Sequence, residues 1–105
     1  MGYDIILSPE AVEDLRSLRA NIRAAVHDGI ERHLRHNPAR ASRSRIKRLR
    51  GLSRPQFRLR VGEVRVFYDV VERQVQVLAI IAKWEAGAWL RKEGEPDEAS
   101  SAFSS

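Results

Sequence analysis

At 105 residues the chain is long enough for one domain with one hydrophobic core, not for two. Hydrophobic residues make up 43% and charged residues 31%, a globular mix, and cysteine is absent, which excludes disulfides, thiolate nucleophiles, zinc fingers and iron–sulfur clusters. The net charge of +5 is unevenly spread: residues 32–62 hold 11 Lys/Arg and no Asp/Glu, while the remainder holds 8 basic against 14 acidic residues, a segregation that points to a polyanion or an acidic protein partner.

No apolar run approaches the ~18 residues of a membrane span. The opening MGYDIILSPE carries Asp4 and no basic stretch ahead of a long apolar one, unlike a signal peptide. The expectation is a cytoplasmic protein with no membrane association.

In chain order, Tyr3–Leu7 (YDIIL) reads as a short strand. Ser8 suits a helix N-cap, Pro9 the first helical position and Glu10 the positive helix end. Val12, Leu15 and Leu18, then Ile22, Val26, Ile30 and Leu34, recur at helical spacing. Two helices are predicted, over about 9–18 and 20–36, with a break near Ala20-Asn21. Asn37-Pro38 stops the second. The segment ARASRSR, residues 39–45, has no apolar period and reads as a basic loop.

The period then changes to two. Strands are predicted over Gln56–Val61, Val64–Val71 and Gln74–Ala82, joined by tight turns at Gly62-Glu63 and Glu72-Arg73. These turns set Val61 against Val64, Leu59 against Val66 and Phe57 against Tyr68, then Val70 against Val75, Tyr68 against Val77 and Val66 against Ala79. One sheet face is wholly apolar, ready for two amphipathic helices. The other carries Arg58, Arg60, Arg65 and Asp69 together with Phe67, Leu78 and Ile80. Arg60 lies opposite Arg65, a repulsion that a bound anion would relieve. The three apolar residues need a cover, either a short helix at Glu85–Leu90 bringing Trp89 and Leu90 back, or a partner's helix. Domain 1–92 is followed by an acidic, Ser-rich tail, 93–105, expected to be disordered.

The chain has no Gly-rich phosphate loop, no Rossmann or Walker pattern and no Gly-x-Ser-x-Gly elbow. His27, His33 and His36 read as solvated helix residues, so no metal or cofactor is expected. What remains is a concave basic surface of Lys47, Arg48, Arg50, Arg54, Arg58, Arg60, Arg65 and Lys83, interleaved with Phe67, Trp84 and Trp89. Guanidinium groups hold phosphates by paired donors, and aromatic rings stack on unpaired bases. Such a cluster can also cleave RNA without metal, by holding the scissile phosphate and stabilising charge in the transition state.

The segment IKRLRGLSRPQFRLRVGEVRVFYDVVERQVQVLAI, Ile46–Ile80, resembles toxins of the RelE/ParE superfamily. The opening YDIILSPEAVEDLRSL and the close KWEAGAWL extend the resemblance to about residues 3–91. It implies an α/β (α+β) RelE-like fold ordered β-α-α-β-β-β, with a roughly four-stranded sheet, two N-terminal helices on one face and a short C-terminal helix. It also implies a cognate antitoxin, and binding of operator DNA only through the antitoxin complex. RelE-like members cleave mRNA in the ribosomal A site, whereas ParE-like members poison DNA gyrase. A ribosome-dependent mRNA endonuclease is the expected activity, with gyrase inhibition as the alternative.

By that resemblance Arg65 occupies the position of a phosphate-binding arginine. Arg58 matches a basic position implicated in acid/base work or charge stabilisation. Lys83 stands where cleaving members place a basic residue. Lys47, Arg48, Arg50, Arg54, Arg60 and Trp84 would hold the nucleic acid. Two positions depart from the pattern: Trp84 stands where RelE has an arginine, and Leu90 where it has a tyrosine.

Overall fold

A computed structural model describes residues 2–97. Strand β1 (Asp4–Leu7) leads into helix α1 (Pro9–Arg16), which starts at Ser8, whose hydroxyl accepts from the Ala11 N–H at 3.0 Å. Helix α2 (Ala20–Leu34) follows after a break at 17–19. Then come β2 (Ile46–Arg48), β3 (Leu52–Arg54), β4 (Phe57–Val61), β5 (Val64–Val71), β6 (Gln74–Ala82), α3 (Lys83–Glu93) and β7 (Glu95–Pro96). The main sheet is five-stranded and mixed, in the order β1-β6-β5-β4-β2, and β3 pairs with β7 in a separate two-stranded ribbon. The chain is thus α+β with helices α1 and α2 on one sheet face. No helix among the described residues is long and apolar enough to cross a membrane.

The β4–β5 register follows the alternation: Phe57 meets Tyr68, Leu59 meets Val66, Arg60 meets Arg65 and Val61 meets Val64. Gly62 supplies the turn with φ of +57°, and in the next hairpin Glu72 takes φ of +55°. The β5–β6 register agrees only as far as Tyr68–Val77. Phe67 then pairs with Ala79, so Leu78 is an extra residue, a β-bulge on β6. The bulge reverses the alternation beyond it. Val66 therefore meets Ile80, not Ala79, and Ile80 lies in the core rather than on the open face. The bulge falls where β1 stops pairing, at Leu7–Val77. Helix α1 takes over the freed edge: the Ser8 hydroxyl donates to the Leu78 carbonyl at 3.1 Å, and the Ile80 N–H donates to the Asp14 carboxylate at 3.0 Å.

The core lies between the helices and the apolar sheet face. Val26, Ile30 and Leu34 of α2 meet Leu59, Val66, Tyr68 and Val77 there. Ile22 does not join them. It is exposed, as is every residue of the first turns of α2, 20–25. Gly29 marks a close approach of α2 to β4, since a Cβ there would stand 2.9 Å from the Val61 Cγ2 methyl. Gly29→Ala is therefore expected to lower stability by about 1 kcal/mol, the crowding outweighing the helix-propensity gain. Thermal unfolding checks this.

The fold continues past the expected boundary at residue 92. Helix α3 includes Glu93, and Glu95–Pro96 pairs with Leu52–Arg54. The rest of the expected tail, 98–105, lies outside the described residues.

Candidate nucleic-acid interface

Helix α3 returns across the open face of the sheet, as the apolar side chains there require. Trp89 stacks on Phe67, with ring centroids 5.0 Å apart and planes 12° from parallel. This covers Phe67 of β5, while Lys47 and Arg60, toward β2 and β4, stay exposed.

The exposed end is cationic, and the ladders arrange it in two rows. Lys47 of β2 pairs with Arg58 of β4, which pairs with Phe67. In the next row the Arg60 N–H donates to the Arg45 carbonyl at 2.8 Å, Arg60 pairs with Arg65, and Arg65 with Ile81. Paired residues of adjacent strands stand about 4.5–5.5 Å apart at Cα. Two to three cations per row at that spacing repel one another. Arg58 shows the consequence. Its Nε is buried and has no hydrogen-bond partner among the described residues. Burial, then the charges of Arg65 and Arg60, hold its guanidinium below the usual arginine basicity.

Arg65 is anchored. Its Nη1 donates to the Gly62 carbonyl at 2.8 Å and to the Val64 carbonyl at 3.1 Å. These bonds clip the side chain over the β4–β5 turn, so the arginine supports the hairpin besides crowding Arg60. Its other guanidinium nitrogens carry no hydrogen bond among the described residues. Lys83, the first residue of α3, pairs through Nζ with Glu63 at 3.2 Å, and its N–H donates to the Glu63 carbonyl at 2.8 Å.

Of the remaining basic residues, Arg48 and Arg50 line one groove with Lys47, and Arg54 lies in another. The Arg48 guanidinium lies 5.1 Å from the centroid of Phe57, its ladder partner, on the other side of the alternation from Lys47. Arg50 shares a groove of about 560 Å³ with Lys47, Arg48 and Leu90. Arg54 is drawn to Asp69, Nε to carboxylate 3.5 Å, and Asp69 also accepts from the Gln56 N–H at 2.8 Å. Arg54 lines a different concavity of about 580 Å³ that is acidic, with Glu10, Asp14, Glu93 and Glu95 around it. Trp84 is 73% exposed on α3. Arg45, expected in the basic loop and outside the binding surface, completes the second row.

Neither described tyrosine is on this face. Tyr3 lies under the Arg73 guanidinium, 5.1 Å from its ring centroid. Tyr68 is buried in the core, stacked on Phe57, and donates to the Pro38 carbonyl at 2.6 Å. Burial pushes its hydroxyl well above the usual tyrosine range. Tyr68→Phe would leave the Pro38 carbonyl unpaired and is expected to cost about 1–3 kcal/mol. Thermal unfolding checks this.

Residues 5–83 match the family model described as ParE toxin of the type II toxin–antitoxin system parDE. The chain belongs to the RelE/ParE superfamily of type II toxins. The toxin is similar to a chain of the toxin–antitoxin complex RelBE2 from Mycobacterium tuberculosis, at 26% identity and a TM-score of 0.62, over 78% of this chain and 99% of that one. The RelB–RelE antitoxin–toxin complex of Methanococcus jannaschii matches at 19% identity and a TM-score of 0.62, over 80% and 96% of the two chains. A mutant of the E. coli toxin RelE in the free state matches at 23% identity and a TM-score of 0.62, over 84% and 90%. The latter two share the fold. No curated protein matches the toxin in sequence.

Proposed function

We propose that the toxin cleaves mRNA on the ribosome, through the cationic end of the open sheet face, and is neutralised by a cognate antitoxin. The observation that carries this reading is Arg58, a half-buried guanidinium with an unpartnered Nε beside two further arginines. Such a group costs the fold stability, and a phosphodiester anion would repay it. Arg65, fixed by its two carbonyl contacts, would clamp the scissile phosphate. In the reaction the RNA 2′-oxygen attacks phosphorus and the bond to the 5′-oxygen breaks. A 2′,3′-cyclic phosphate and a 5′-hydroxyl are left. Arg58 and Lys83 would stabilise the charge on the pentacoordinate phosphorus or move the proton between the two oxygens. Lys47 and Arg60 would hold the neighbouring backbone. The antitoxin, by charge complementarity, would present an acidic segment to this face.

The absence of a tyrosine from the face, among the described residues, favours a second reading, in which the toxin binds DNA gyrase and cleaves nothing. Induction in cells separates the two. Rapid loss of translated messages supports the nuclease. Intact messages with a DNA-damage response would overturn it in favour of gyrase. Co-expression of the small protein encoded beside the toxin should restore growth and yield a stable complex. Growth arrest that persists with no complex recovered would rule out an antitoxin encoded there.

A further inference from the structure

A second cationic feature lies around the edge of the sheet. The end of α2 and the loop before β2 enclose a groove of about 350 Å³, lined by Arg32, His33, Arg40, Ser42, Ser44 and Arg45. Its walls are guanidinium, imidazole, amide and hydroxyl-bearing side chains, with Ile46 the one apolar residue among those lining it. The loop is braced at both ends. Tyr68 holds the Pro38 carbonyl at 2.6 Å. At the other end the Ser42 hydroxyl accepts from the Arg45 and Ile46 N–H groups at 3.1 and 3.0 Å, and the Ser42 N–H donates to the Ile46 carbonyl at 2.9 Å. The cations are thus presented on a fixed loop. Arg32 has a partner, Asp28, at 3.4 Å, but Arg40 and Arg45 have no ion pair among the described residues. Arg45 also lines the next depression, with Ser44, Arg60 and Gly62. The groove is therefore continuous with the row Arg45–Arg60–Arg65 on the open face.

We propose that this groove holds a backbone phosphate of a single-stranded RNA whose path continues through Arg45 and Arg60 onto the open face. The inference extends the reading of that face as an RNA surface. An acidic protein segment is the lesser fit, since peptide recognition draws on apolar anchors and this groove has few. A phosphodiester needs only donors, and the groove supplies them from four side-chain types. His33 reports on occupancy: burial, then Arg45 and Arg32, hold its imidazole below the usual histidine range, against an opposing pull from Asp28. An anion beside it would reverse that direction.

The test is binding of a labelled single-stranded RNA oligonucleotide, without ribosomes, across a range of salt. Arg40→Ala with Arg45→Ala should weaken binding several-fold. It should also make the salt dependence shallower, by about 0.7 in log–log slope for each phosphate that is no longer neutralised. Lysine at both positions should restore most of the affinity, since the charge is kept. Proton NMR should show the His33 titration moving up on adding the oligonucleotide to the parent. Parent-like affinity and slope in the double alanine variant, with parent-like thermal unfolding, would overturn the proposal. So would loss of binding to an acidic polyglutamate peptide with RNA binding intact, which would assign the groove to a protein partner. This test reads binding alone, so a failure to cleave RNA in a separate assay would sink the nuclease reading and leave the groove standing.

Discussion

Arg58→Met is expected to yield a toxin that is harder to unfold and no longer arrests growth. The parent arginine is half-buried, its Nε has no partner among the described residues, and Arg60 and Arg65 repel it. Methionine fills a similar volume without the charge. Replacing a buried ion by an apolar side chain of like size is commonly neutral or stabilising. With part of the guanidinium still wet, the gain should be about 1 kcal/mol, or roughly 4–8 °C in Tm for a domain of this size. Activity should fall at least ~10²-fold, the scale for one preorganised charge-stabilising donor. Thermal unfolding and growth arrest, measured on the same variant, check both halves. A destabilised Arg58→Met protein that still arrests growth would make Arg58 a structural residue.

On the proposed nuclease reading, Arg65→Ala is expected to lose ~10²–10³ in cleavage rate. Its stability should move the other way from Arg58→Met. The variant loses two hydrogen bonds to the Gly62 and Val64 carbonyls and gains relief of repulsion with Arg60. The net should be a loss of no more than about 1 kcal/mol, since exposed carbonyls exchange a protein donor for water. Arg65→Lys should recover only part of the rate, because an ammonium cannot clasp the turn and present paired donors at once. The rate is followed by cleavage of a defined message, and the fold by unfolding and antitoxin binding. A well-folded Arg65→Ala protein that cleaves like the parent would remove Arg65 from the site.

Strand register is legible in the sequence where polar and apolar residues truly alternate. Phe57-Arg58-Leu59-Arg60-Val61 allows one register, so both the buried Tyr68 and the facing Arg60–Arg65 pair follow from it. In Val77–Ala82 every residue is apolar, and a shift by one leaves no trace in composition. The bulge there depends on β1 ending and α1 offering Ser8 and Asp14, which are contacts between distant segments. Strand β2 is hidden for a related reason. Three residues, Ile46-Lys47-Arg48, are too few to show a period, and their strand character comes from pairing with β4. With β2 goes Arg45, which the same alternation places beside Lys47's face. Glu95-Pro96 reads as tail by composition, and only its pairing with β3 makes it structure. Ile22 keeps the helical period of the core but sits on turns whose residues, 20–25, are all exposed. The need to cover Phe67 is legible, and Trp89 meets it.

That the cationic rows act on an RNA phosphodiester can be decided with purified toxin on ribosomes programmed with a defined message. The message is made once as RNA and once with a single 2′-deoxy substitution at the mapped cut. The first should be cleaved, leaving a 2′,3′-cyclic phosphate end, and the second should stay intact. An uncut RNA message, together with inhibition of gyrase supercoiling by the same preparation, would contradict an action on RNA.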